Sequence, residues 1–288
     1  MNQWLLNGLN QSGVIVLELV VGFGLFWVGQ LAYQKLFRRI NLNFELFGKD
    51  NPAVAIALVG YYFGIVIALG GVLGQPSNTW EEKILSLASY GATVIILMLA
   101  GAWVGDRLIL RRCDCAREVI EEQNVGAAAV EAGIHIANGL ILSAALAGEG
   151  GGWLIAFVCW LFGLGVLVVV SIAYPRITAY NVFREIEKRN NPAVGVALAG
   201  LLIATGNIVR VAFSPEFQGW FISLVQYSLI LLFCLAALAA IRWLADLILV
   251  PGVKISDEIV NQSVPNLGAG LIEAFAYIGA SFLIAWTF

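Results

Sequence analysis

The sequence predicts an all-α membrane protein, with eight transmembrane helices arranged as two parallel four-helix repeats. Three observations carry that expectation. Of the 288 residues, 60% are hydrophobic and only 12% charged, against about 25% charged in a soluble domain. Apolar stretches of about 20 residues recur, each long enough to cross a ~30 Å hydrocarbon core. The second half of the chain also repeats the first, so the expected units are residues 1–149 and 150–288.

The spans fall at residues 13–37, 52–74, 84–109, 125–148, 153–174, 192–213, 221–249 and 267–286. No large soluble domain fits between them. Residues 1–13, where the first span begins, contain no Lys or Arg. A secretory signal would need a basic segment and a small-residue cleavage site there, so this span is expected to stay in the mature chain. It carries Glu18, whose counterpart in the second half is apolar, near Val158. The second and sixth spans start at Asn51-Pro52 and Asn191-Pro192. Asn caps a helix well, and Pro suits its first position, where the missing N–H costs nothing. Asn124 and Asn266 take the corresponding place before the fourth and eighth spans. Such N-termini could also attract anions. The third and seventh spans end at Asp106 and Asp246, the unfavourable end of the helix dipole for a carboxylate. Each is expected to pair with Arg107, Arg242 or the N-terminus of a neighbouring span. Arg210, at the outer end of the sixth span, is expected to snorkel as an interfacial anchor.

Gly60/Gly64, Gly70/Gly74 and Gly101/Gly105 have the four-residue spacing that lets helices approach closely. Trp80, Trp153, Trp220 and Trp286 stand near outer span ends, where aromatic belts form. Gly and Pro mark the connections at residues 74–78, 148–152, 214–215 and 251–252. Glu118–Gln123 and residues 256–262 are expected to be short charged helices lying along the interface before spans four and eight.

Orientation follows from Lys and Arg. The loops after the odd-numbered spans, with the span ends leading into them, hold fourteen of the 16; Lys83 and Arg210 are on the other side. The positive-inside rule then places both termini outside the cytoplasm.

The duplication is legible residue by residue. Asn51-Pro52-Ala53-Val54 returns as Asn191-Pro192-Ala193-Val194, and Trp103-Val104-Gly105-Asp106 as Trp243-Leu244-Ala245-Asp246, both 140 positions on. Asn124 and Glu131 return as Asn266 and Glu273, 142 positions on. Four spans per half leave both halves pointing the same way. A pseudo-two-fold dimer within one chain is the simplest arrangement.

The stretch from Glu121 through Leu142 organises the rest. Polar at first, it becomes an apolar helix carrying Glu131, His135 and Asn138 on one face. The matching face of span eight carries Asn266, Glu273 and Tyr277. Ionisable groups within a membrane are costly and usually face a bundle interior or water. They could relay protons or bind a cation, with Asp106 and Asp246 as vestibule charges; interhelical hydrogen bonding is the alternative. The four Cys include a Cys113-Asp114-Cys115 too tightly spaced for a usual zinc site, and are read as reduced structural thiols. No metal, cofactor or nucleic-acid partner is expected. Without a Walker loop, an HExxH or a nucleophile elbow, neither is an enzyme.

Glu118-x-x-Glu121-x-x-Asn124-Val125-Gly126-Ala127-Ala128, then Glu131-Ala132-Gly133, with Asn51-Pro52-Ala53 heading span two, resembles the DUF350 family, which includes the YjfL-type proteins. The resemblance covers both halves. The second departs at Gln262-Ser263-Val264-Pro265-Asn266, and has Tyr277 where the first has His135. The resemblance implies a multi-pass protein of the bacterial inner membrane, no known catalysis, and association with membrane-stress systems containing PspA-like or SPFH-like partners. Two functions follow as expectations: a proton or small-cation channel, transporter or sensor using the intramembrane carboxylates, or a scaffold recruiting a cytoplasmic partner through surface residues such as Glu121, Glu122 and Glu258. A homo-oligomer is compatible with either.

Overall fold

The computed structural model of the chain describes residues 3–36, 41–73, 79–111, 114–147, 152–178 and 180–288. Arg38, Arg39, Arg112, Cys113, and the connecting residues 74–78 and 148–151, Gly74 among them, lie outside these. The described residues form helices and no strand. In order they are α1 (Gln3–Leu36), α2 (Leu42–Phe47), α3 (Pro52–Leu73), α4 (Trp80–Val104), α5 (Val125–Ala147), α6 (Gly152–Ile177), α7 (Val182–Arg189), α8 (Pro192–Ala212), α9 (Trp220–Leu244), α10 (Ile255–Val260) and α11 (Leu267–Thr287). Wider π-helical turns extend α4 through Gly105–Ile109 and α9 through Ala245–Leu249, and a third spans Arg117–Glu121 before α5.

The eight spans are α1, α3, α4, α5, α6, α8, α9 and α11. Four short elements precede the even-numbered spans: α2, the Arg117–Glu121 turn, α7 and α10. Sequence patterning located only the second and fourth of them. The signal for the others was present, since Asn41 and Glu45 return as Asn181 and Glu185 at the same 140-residue offset.

The spans that begin with asparagine form the centre, and α3, α5, α8 and α11 stand side by side in that order. Asn51 Oδ1 accepts from Ala53 N and Val54 N (3.0 and 3.2 Å), and Asn191 repeats this at Ala193 and Val194. Asn124 and Asn266 accept from Ala127 N and Ala269 N. Each of these helices therefore starts with one or two of its first-turn N–H groups satisfied by its own cap before entering lipid, where an unpaired one costs several kcal/mol. Burial follows the row: 89% of the most apolar stretch of α5 and 83% of that of α8 is buried, against 6% in α1. The outer helices α1, α4, α6 and α9 cover the row's sides and present Phe23, Trp27, Ile96, Phe233 and Trp243 outward. Those exposed side chains are what a helix bundle shows to lipid.

Close approach explains the row. A Cβ on Gly195 would meet the Gly126 backbone, one on Gly133 the Ala199 Cα at 2.7 Å, and one on Gly206 the Ala137 Cα at 2.6 Å. Without a hydrophobic drive between helices in lipid, dispersion from this near-backbone contact holds them together. Gly60 and Gly64 serve such contacts, Gly101 and Gly105 make room for the side chains of Asn138 and Ile134, and Gly70 meets nothing within 4 Å.

The expectation of a pseudo-two-fold dimer needs correction. A two-fold axis between the repeats would pair α5 with α8 and α11 with α3. Instead α3 and α11 stand at opposite ends of the row, each with an exposed flank: Val59, Phe63 and Val66 on α3, Leu271, Phe275 and Leu283 on α11. The repeats follow one another head to tail because α5–α8 is packed as α3–α5 and α8–α11 are.

Gly64→Leu should destabilise the protein by at least about 1–3 kcal/mol, the usual cost of overpacking, because its Cβ would strike the His135 backbone. Gly70→Leu should leave stability unchanged. Thermal unfolding of both variants in detergent checks this.

Candidate functional site

Glu131 lies in the second turn of α5, 6% exposed. Tyr33 of α1 donates its hydroxyl hydrogen to Glu131 Oε1 at 2.7 Å. One helical turn on, His135 is fully buried, with Nε2 3.6 Å from the same oxygen, beyond hydrogen-bond length. Neither ring nitrogen of His135 has a hydrogen-bond partner among the described residues. Its ring stands edge-on to Tyr61 of α3, centroids 5.3 Å apart, and near Tyr33. Asp106 lies close enough to act on both Glu131 and Tyr33 electrostatically. Two carboxyls, two phenols and an imidazole thus gather where α1, α3, the end of α4 and α5 converge. No Lys or Arg pairs with Glu131 among the described residues.

The second repeat reproduces the frame and changes the charge. Tyr174 of α6 donates to Glu273 Oε1 at 2.9 Å, as Tyr33 does to Glu131, and Tyr277 donates to the same oxygen at 3.4 Å. Here Arg242 of α9 reaches in. Its Nη1 donates to Glu273 Oε1 at 2.5 Å and its Nη2 to Ser256 Oγ at 2.6 Å. The positions 140 residues earlier hold Ala102 and Ala116. One repeat therefore holds a buried carboxylate neutralised by a guanidinium, and the other holds one with no cation paired to it among the described residues. Sequence reading missed both tyrosines and assigned Arg242 as a possible partner of Asp246. The recurrence of Tyr33 as Tyr174, 141 residues on, was the available signal for the tyrosines.

The remaining candidates are placed as follows. Asn138 is fully engaged: its Nδ2 donates to Leu97 O and Met98 Sδ of α4, and its Oδ1 accepts from Trp160 Nε1 of α6 at 2.9 Å. It clamps three helices one turn beyond His135. Asp246 Oδ1 accepts from Ile255 N at 3.0 Å, so it satisfies the N-terminus of α10. Asp106 bonds Cys115 at the same nine-residue interval. The Asp246 contact is to a backbone N–H at a short-helix N-terminus, and that of Asp106 is to the Cys115 side chain. Glu18 forms an ion pair with Lys83 (2.7 Å). Arg210 Nε donates to Asn207 Oδ1, and the residue lines an open cavity of about 940 Å³ with Tyr90, Ser143, Trp153 and Phe213.

The cap asparagines join the row at its polar end. Asn51 Nδ2 donates to Glu45, and also to Val119 O and Ile120 O of the next short element. Asn124 donates to Glu118 and to Ile186 O of α7; Asn191 donates to Glu185 and to Ile259 O of α10. Asn51, Asn124 and Asn191 each fasten their own helix, their own short element and the next one.

Eight apolar spans, two tandem four-helix units and buried ionisable groups at the helix junctions define a polytopic membrane protein. The profile of the Domain of Unknown Function (DUF350) family matches residues 4–146 and again 150–288, and the chain belongs to that family. It is similar to a UPF0719 transmembrane protein of Aquifex aeolicus (strain VF5), 24% identical over 269 residues, covering 90% of this chain and 95% of that protein. No solved structure matches it.

Arg242→Ala should cost roughly 3–5 kcal/mol, because it strands a buried carboxylate. Adding Glu273→Gln should restore most of that loss. Melting temperatures of the two single variants and the double variant in one detergent measure the coupling.

Proposed function

We propose that the first repeat carries a proton or a small monovalent cation at Glu131, with His135 and Tyr33 as its exchange partners and Asp106 as the charge nearest the basic face. The observation that supports this is the contrast between twins. Glu273 is compensated by Arg242, a structural solution to burying a carboxylate; Glu131 is buried among groups that can give or take a proton, and no cation among the described residues is paired with it. A carboxyl left this way within a membrane is costly, and such groups usually mark ion or proton pathways. In this reading a proton passes between Glu131 Oε1 and His135 Nε2 after a small side-chain movement, since 3.6 Å separates them. Glu273, Tyr277 and Asp246 support the fold of the second repeat rather than a second pathway. The protein is not an enzyme.

The same reading places the chain in the bacterial inner membrane with both termini outside the cytoplasm, because fourteen of 16 Lys and Arg lie on one side. Glu131 then lies toward the cytoplasmic end of its helix.

A second reading, a scaffold recruiting a cytoplasmic partner, draws on the exposed Glu121, Glu122 and Gln123. Glu122 pairs with Arg117 there and holds its guanidinium above the ordinary arginine range. Reconstituted liposomes separate the two. With proton and cation gradients imposed, Glu131→Gln should lower flux by about 10²-fold, the low end of what a positioned proton-transfer group contributes. Glu273→Gln should leave flux near that of the parent chain. Equal flux in all three would remove Glu131 from the mechanism. Glu121→Lys with Glu122→Lys should leave flux unchanged; loss of a recovered cytoplasmic partner with intact Glu131 would favour the scaffold.

A further inference from the structure

The row uses one contact three times. Nine residues after each cap asparagine, a glycine meets an alanine that lies eight residues after the next cap: Gly60 on Ala132, Gly133 on Ala199, Gly200 on Ala274. Nearer the polar end, Gly195 rests on Gly126 and Gly270 on Ala193. The cap amides add the same link each time, to Val119 and Ile120, to Ile186 and to Ile259. A contact between two different faces is heterologous, so a chain of such contacts leaves one unused face at each end, and copies joined by them form rings or filaments.

Both end faces are open. Asn51, Asn124 and Asn191 are buried, whereas Asn266 is exposed, and among the described residues its amide donates only to Glu258. A depression of about 530 Å³ lies beside it, walled by Val253, Ile255, Gly268 and Ile272. This is where the next short element would sit. At the other end, Leu46 follows Glu45 as Ile259 follows Glu258, and neighbouring Phe47 is 80% exposed.

Within the membrane the two ends complement each other. Trp160 and Leu164 of α6 are 3% and 4% exposed because α6 lies against α5 and α8. Their counterparts on α1, Leu19 and Phe23, are 56% and 68% exposed. On α11 the contact glycine is replaced by Phe275, 65% exposed, and on α3 the contact alanine by Val59. Val59 walls an apolar groove of about 490 Å³ with Phe26, Trp27, Phe63 and Val66. A protruding ring and a groove stand where the internal contacts have Gly against Ala.

We infer that a second copy of this chain docks head to tail on these faces: α11 and Asn266 of one copy against α1, α2 and α3 of the next. Phe275 enters the groove beside Val59, and Asn266 takes the Leu46 carbonyl. The contact continues the internal one, with wider spacing at the level of Phe275. It is independent of any proton or cation movement.

The internal register places Gly268 of one copy against Ala55 of the next, as Gly126 lies against Gly195. In a chain whose four native cysteines are replaced by alanine, Ala55→Cys with Gly268→Cys should cross-link to dimers and higher species on oxidation in native membranes. Either cysteine alone should not, and co-expression of the two single variants should give dimers only. Phe47→Ser should reduce cross-linking severalfold without changing the melting temperature. Single variants that cross-link as well as the double variant would overturn the proposal, since the contact would then be face to face or random. No cross-link in a double variant with an unchanged melting temperature would overturn it too, leaving these faces to lipid or another protein.

Discussion

The structure depends on near-backbone contact between four helices that all start at the same face of the membrane. In lipid, apolar side chains gain nothing by leaving one apolar solvent for another. Association must come from close dispersion contact and from polar groups with nowhere else to bond. Gly60, Gly133, Gly200 and their alanine partners supply the first. Three of the cap asparagines, Asn51, Asn124 and Asn191, supply the second, because their amides satisfy carbonyls of the next short element as well as their own carboxylates. A parallel row places four positive helix ends together, which is unfavourable. Glu45, Glu118, Glu185 and Glu258, one beside each cap, oppose that repulsion.

Against that repeated frame, the two buried carboxylates have diverged. Duplication gave each half a tyrosine–glutamate pair, and the second half then holds Arg242 and Ser256 where the first has Ala102 and Ala116. A buried ion pair often adds little net stability, but losing one partner is costly. That makes the Glu273 site resistant to change and Glu131 the freer of the two. Exchange of His135 for Tyr277 agrees with this division, since a phenol can donate to a fixed carboxylate but titrates far from the neutral range.

Much of the architecture was legible because membrane burial imposes simple rules. Twenty apolar residues and an asparagine before a proline each have one dominant physical reading. The repeat offsets located Glu273 from Glu131 directly. Reading stopped where side chains meet across helices. Nothing in the local sequence of Tyr33 says that it faces Glu131, 98 residues away. Arg242 and Asp246 share a helix end, and proximity in sequence pointed to a pair that packing does not make; Asp246 turns instead to the α10 N-terminus. Asn138, one of three polar residues on a single helix face, is consumed by Leu97, Met98 and Trp160.

By itself, the sequence determined the class of protein, the eight spans, the tandem four-helix plan and the cap residues, since these follow from local hydropathy, spacing and helix-end chemistry. Tertiary structure alone decided that the repeats run head to tail rather than around a two-fold axis, because that depends on which helix faces meet. It also decided that one glutamate is paired with an arginine and that its twin, among the described residues, is not. Both are contacts between residues far apart in the chain, where periodicity carries no information.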